Sequence, residues 1–133
     1  MSNSEHELFI AKSYLSKLKR EAFCPTEGEL EVAFNLISQH IGPENAITDK
    51  ACAEITGVNA RTIRKAFELL PVCTMRNGSG YFWPESEDDI YKSKRPLENQ
   101  LKSIKRHVYR YEAYIRRLQR SSLQDDEIYQ DAK

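Results

Sequence analysis

Cysteine is scarce and scattered, present only as Cys24, Cys52 and Cys73, with no CxxC pair. An odd, widely spaced set builds no disulfide framework. It reads as reduced thiols in a cytoplasmic protein, with Cys52 and Cys73 buried. His6, His40 and His107 have no partner at ligand spacing, so no metal site is expected. No apolar run approaches the roughly 18 residues that span a bilayer, and residues 1–5 do not read as a secretory leader. Internal repeats are missing. So are a Ser-His-Asp set in context, paired carboxylates on an apolar face and a Walker glycine pattern. The tetrapeptide Asn77-Gly78-Ser79-Gly80 is not followed by Lys-Ser/Thr and opens no helix, which removes the phosphate-loop reading. Neither an enzyme nor a cofactor is expected.

What is present is charge, unevenly spread. Twenty Lys/Arg balance twenty Asp/Glu, so no whole-molecule field announces a polyanion. Between Lys92 and Arg120, however, ten basic residues stand against two acids, Glu98 and Glu112, while the first fifty residues and the last thirteen are acidic. A basic block inside a neutral chain implies local attraction. With 40% hydrophobic and 30% charged residues, the composition suits one small core carrying long solvated helices.

Apolar periodicity predicts a first helix over residues 7–23, with Leu8, Ala11, Leu15, Leu18 and Ala22 on one face, stopped by Cys24-Pro25. Thr26-Glu27-Gly28-Glu29 reads as a capping box that opens a second helix. Its stripe is Leu30, Ala33, Phe34, Ile37 and Ile41, and Gly42-Pro43 ends it. Ile47 follows as one extended apolar residue. A two-turn helix then runs from Asp49 to Thr56, and a further helix capped by Asn59 runs to Leu70 with Ile63, Ala66, Phe67 and Leu70 inward. Residues 72–76 and 81–83 read as two short strands joined by the glycine-rich turn, with alternation turning Phe82 inward between Tyr81 and Trp83. Three acids at 87–89 restart a helix, where the macrodipole favours them. Pro96 is expected to interrupt it and begin a longer helix to about Arg120.

The segment from Asp49 to Phe67 carries the functional reading. A short helix and a second helix that crosses it steeply need a small residue at the closest approach, here Ala53, and Gly57 in the turn. They also need apolar plugs, here Val58, Ile63 and Ala66. This pattern resembles the helix-turn-helix of small bacterial and bacteriophage DNA-binding proteins, and the added hairpin makes it similar to the winged-helix variant. The resemblance covers residues 26–84, under half of the chain. It implies that Arg61 and Arg64 contact guanines, that Asn59 and Thr62 donate to phosphate or a base edge, and that Lys65 and Lys50 anchor phosphates. It also implies that Arg76 and Asn77, at the wing, reach the backbone or the minor groove. An ordinary helical hairpin is the competing reading of residues 49–67.

The last helix holds a heptad seam, with Leu97, Ile104, Tyr111 and Leu118 at d and Leu101, Val108 and Ile115 at a. The seam either pairs with the same helix of a second subunit or packs on the amphipathic first helix of its own chain. Dimerisation is favoured, because single recognition helices usually need two half-sites.

The expected fold is therefore mainly α. It comprises an N-terminal helix (1–25), a winged helix with a three-helix core and a β-hairpin wing (26–85), a C-terminal coiled-coil dimerisation segment (86–122) and a flexible acidic tail (123–133). The expected protein is a cytoplasmic homodimer that binds double-stranded DNA. It would act as a small regulator or a replication or maintenance factor of a phage or other mobile element. The alternative is a protein-interaction module that uses the winged helix as a scaffold and docks a partner protein through the coiled coil.

Overall fold

A computed structural model describes the backbone of residues 3–131 and the side chains of residues 3–122. Five helices and one hairpin follow in the order α1 (Asn3–Leu18), α2 (Glu27–Ile37), α3 (Asp49–Thr56), α4 (Ala60–Glu68), β1 (Cys73–Thr74), β2 (Tyr81–Phe82) and α5 (Glu87–Asp131). The chain divides into two compact units that meet between Ser93 and Lys94.

Local chemistry sets the helix starts. The Thr26 hydroxyl accepts from the Glu29 amide at 3.1 Å, and Glu29 Oε1 accepts from the Thr26 amide at 2.9 Å, which completes the capping box on α2. Thr48 Oγ1 accepts from the Ala51 amide at 3.0 Å and caps α3. Asn59 Oδ1 accepts from the Arg61 amide at 2.8 Å and caps α4. Between α3 and α4, Gly57 takes φ 74°, and its amide donates to the Ala53 carbonyl at 2.8 Å. Residues with a Cβ rarely adopt that left-handed conformation.

The core of the first unit lies where α1, α2, α3 and α4 meet. Leu30, Ile37, Cys52 and Ile63 are fully buried there, with Ala11, Ala33, Phe34, Ala66, Phe67 and Leu70 around them. Lys12 pairs with Glu31, and with Glu27 at 3.4 Å, tying α1 to α2. The apolar face of α1 is used within this core: Ala11 is buried, and Leu8 and Leu15 pack against the cluster.

The hairpin is antiparallel, with Cys73 opposite Phe82 and Thr74 opposite Tyr81. It is shorter than the two strands expected from residues 72–83. Ile47 adds a single bridge on its free edge, exchanging both amide bonds with Tyr81 at 2.8 Å. The aromatics hold the hairpin down on the helices. The Tyr81 ring lies 5.1 Å from Phe67, Trp83 meets Phe34 edge-on at 5.7 Å, and Phe82 is buried. Gly80 belongs to this packing, since a Cβ there would stand 3.2 Å from that of Ala46.

Three expectations need correcting. α1 ends at Leu18 rather than Phe23, because the chain must turn back before Pro25. It does so with Phe23 at φ 59°, which leaves Ala22 exposed. α2 ends at Ile37, so Ile41 lies beyond it and is exposed. Finally, α5 runs unbroken through Pro96. Proline removes one backbone bond, and on this exposed stretch the freed carbonyl can bond to water. The α5 backbone continues to Asp131, past the end expected near Arg120, and the side chains of the acidic tail lie outside the described residues.

In the second unit, the helix from Lys94 onward, the seam side chains Leu97, Leu101, Ile104, Val108, Tyr111, Ile115 and Leu118 are each about half exposed or more. Among the described residues, no helix is long and apolar enough to cross a membrane.

Candidate nucleic-acid interface

α4 presents one face to the core and one outward, and the two faces differ completely in chemistry. Inward are Thr62, Ile63, Ala66 and Phe67. Outward are Arg61 and Arg64, with the Asn59 cap at the helix N-terminus. Thr62 is only 7% exposed. It therefore does not share the outer face with the arginines, and its predicted contact with DNA is withdrawn.

The outward cations are not free. Arg64 Nη1 donates to Asp49 Oδ2 at 2.7 Å. Lys65 Nζ donates to Glu21 Oε1 at 3.1 Å and lies 3.8 Å from Glu68. The Arg61 guanidinium sits 5.2 Å from the centre of the Phe23 ring. Residues 21–23, in the connection between α1 and α2, thus lie along the Arg61–Lys65 side of α4, while Arg64 reaches back to the start of α3.

The electrostatics follow from these contacts. The hydrogen bond that Lys65 donates to the Glu21 carboxylate raises the Lys65 pKa above its ordinary value, so this ammonium stays charged throughout the neutral range. Burial pushes the Cys52 thiol up to about 11, with the Asp49 carboxylate adding to the effect. It is a protonated core residue rather than a nucleophile. Burial also raises the Tyr81 phenol, and the charges of Asp49 and Arg64 act on it in opposite directions.

The remaining predicted residues lie around this helix. Lys50 is exposed in the first turn of α3, next in sequence to the Asp49 that holds Arg64. Arg76 and Asn77 are exposed at the hairpin tip, where Asn77 Oδ1 accepts from the Ser79 amide at 3.1 Å. Among the described residues, no hydrogen bond or ion pair joins this tip to the α4 cations. The structure thus places Asn59, Arg61, Arg64 and Lys65 at the cap and on α4, Lys50 in the first turn of α3, and Arg76 and Asn77 on a separate element.

Sequence reasoning missed Glu21, Phe23 and Asp49 as partners of these cations. Glu21 and Lys65 are 44 residues apart, and nothing local signals such a contact. Among the described residues, no group of three or more His, Cys, Asp or Glu side chains could hold a metal ion. Compared with known proteins, the chain matches no family model, no curated protein and no solved structure.

Asp49 is the acid that most directly limits α4. Asp49→Asn is expected to free Arg64, tighten binding to random-sequence duplex several-fold and steepen the dependence of log K on log salt by about one phosphate's worth. Fluorescence anisotropy over a salt series reads both effects. Unchanged affinity and slope would mean that Arg64 is not a DNA ligand.

Proposed function

We propose that this chain is a winged-helix protein that binds double-stranded DNA as a homodimer. α4 lies in the major groove, with Arg61 and Arg64 reaching guanine edges and Asn59 donating its amide N–H₂ to a base or phosphate. Lys50 and Lys65 hold phosphates, and the hairpin tip, with Arg76 and Asn77, follows the neighbouring backbone or minor groove. The observation that carries this reading is the α3–Gly57–α4 corner. It buries the Ile63 side of α4 and turns the arginine side outward at the helix's free, Asn-capped end. The hairpin that follows α4, and its bridge to Ile47 ahead of α3, support the same reading. In this account the chain serves as a small dimeric regulator or a replication or maintenance factor of a phage or other mobile element, with no catalytic step and no cofactor.

Selection from a random duplex pool tests it. The expected result is an enriched half-site repeated with inverted symmetry. A pool that fails to enrich would remove sequence-specific recognition.

One observation favours a second reading. The acids Asp49 and Glu21 neutralise two of the α4 cations, and Phe23 and Ile55 are exposed nearby in sequence to those acids. A surface of mixed charge with exposed apolar groups also suits a protein partner, for which the helical domain is a scaffold and α5 the docking element. Pull-down from extract with and without nuclease separates the two readings. A protein retained after nuclease, together with no DNA binding by the pure chain, would favour the second.

A further inference from the structure

We propose that two copies of the chain pair antiparallel along α5, in one register, with Val108 of each copy packed on Tyr111 of the other and Lys105 of each facing Glu112 of the other. This rests on the homodimer proposed above and specifies its geometry.

The starting observation is the exposed seam. Val108, Leu118, Ile115 and Leu101 are 49–51% exposed, and Ile104 and Tyr111 are 61% exposed. A helix with a continuous apolar stripe in water has lost the tertiary packing that normally stabilises helices. The second copy is the occupant that carries a matching stripe of the same length, and the flanking charges decide how it lies.

In a parallel pair every seam residue meets its own counterpart. Tyr111 would then share a layer with Tyr111 and Val108 with Val108, one layer overfilled and its neighbour underfilled, which close packing penalises. β-branched Ile104 also occupies a d position, where two-stranded parallel coils prefer leucine. Along the flanks, each g residue would face the e residue five positions on. That sets Gln100 against Lys105, His107 against Glu112 and Tyr114 against Gln119. No lysine or arginine faces a carboxylate.

In an antiparallel pair each a residue meets a d residue, and e faces e. The register that sets Val108 against Tyr111 also sets Leu101 against Leu118 and Ile104 against Ile115, each twice by symmetry. Layer volumes are then even along the seam. The same register puts Lys105 opposite Glu112, again twice. Neither residue makes an ion pair within the chain among the described residues, so both are available.

Neighbouring registers are rejected by charge. A one-heptad slip in one direction keeps the apolar layers but sets Lys105 against Lys105 and Glu98 against Glu112. A slip in the other direction shortens the seam and sets Glu112 against Glu112. Like charges in the wrong alignment are how paired helices exclude alternatives. The two-fold axis of the favoured register passes between Tyr109 and Arg110.

Two experiments on the full chain test this. Pulsed dipolar spectroscopy uses spin labels at Asn99→Cys or Arg106→Cys, each on a Cys24→Ser background with buried Cys52 and Cys73 left in place. At 1.5 Å rise per residue, the expected axial offset between labels is about 32 Å at position 99 and about 10 Å at position 106. Equal distances at the two positions would overturn the antiparallel orientation while the dimer stands. A ratio fitting a two-fold axis half a heptad away, at Arg106 or Ala113, would overturn the register. No coupling at either position would overturn the dimer itself.

The second experiment is a charge exchange read by sedimentation. Lys105→Glu or Glu112→Lys alone is expected to weaken dimerisation by about tenfold, with the double exchange restoring it. Absence of restoration would contradict the Lys105–Glu112 facing.

Discussion

Ile63→Ala is expected to lower the stability of the first unit by about 2–5 kcal/mol, read from the midpoint of chemical denaturation. Ile63 is fully buried, and it sits on α4 one residue from Thr62 and one from Arg64. Truncation would leave a cavity between α4 and the Leu30–Ile37–Cys52 core that helices joined by tight caps cannot collapse to fill. Small domains hold only about 5–15 kcal/mol in total, so a loss of this size populates the unfolded state and lowers the apparent affinity for any ligand of α4. Ile55, 64% exposed on α3, is the matched control. Ile55→Ala should change stability by less than about 0.5 kcal/mol. A cost below about 1 kcal/mol at Ile63 would mean that this side chain is not what sets the outward face of α4.

The second large effect is on binding. Arg61→Ala/Arg64→Ala is expected to reduce affinity for the selected duplex by at least about thirtyfold. Each bidentate guanine contact contributes roughly 1–3 kcal/mol of discrimination. The ion pair of Arg64 with Asp49 does not forbid this. Its groups are 47% and 24% exposed, and a pair so open to solvent is worth no more than about 1 kcal/mol. A guanine edge therefore competes successfully for the guanidinium. Arg61 stacks on Phe23, which is itself exposed, and can leave that ring at similar cost. Lys65 is different: it is 21% exposed and shared between Glu21 and Glu68. Lys65→Ala should therefore weaken binding less than either arginine variant, and about equally on specific and random duplex. An equal loss for all three residues would argue against base readout.

Much of the first unit could be read in the sequence because local chemistry encodes it. Thr26 with Glu29, Asn59, Gly57 and the Asn77–Gly80 turn each do in the structure what their residue types favour. The single extended residue Ile47 finds its bridge to Tyr81. What the sequence hid were contacts set by distant parts of the chain. Phe23 takes a left-handed turn that few phenylalanines adopt, and in doing so delivers Glu21 and its own ring to α4. Helical periodicity extended α1 through that turn because Ala22 happens to continue the stripe. Thr62 was legible and misread. It lies four residues before Ala66 and eight before Leu70, on the buried stripe, but its hydroxyl suggested a surface role. Pro96 does not break α5, since an exposed helix tolerates a lost backbone bond better than a packed one. The seam of α5 was legible as a pattern. Its exposure, and the charges of Lys105 and Glu112 beside it, are what the proposed pairing adds to that pattern.

Whether the arginine face of α4 binds duplex DNA, as proposed, is read from the affinity of the whole chain for duplex across a salt series. Log K is expected to fall linearly with log salt, with a slope near −0.9 for each phosphate neutralised. A shallower slope and weaker binding are expected in Arg61→Ala/Arg64→Ala. A flat salt response, or a double variant that binds like the native chain, would contradict the proposal.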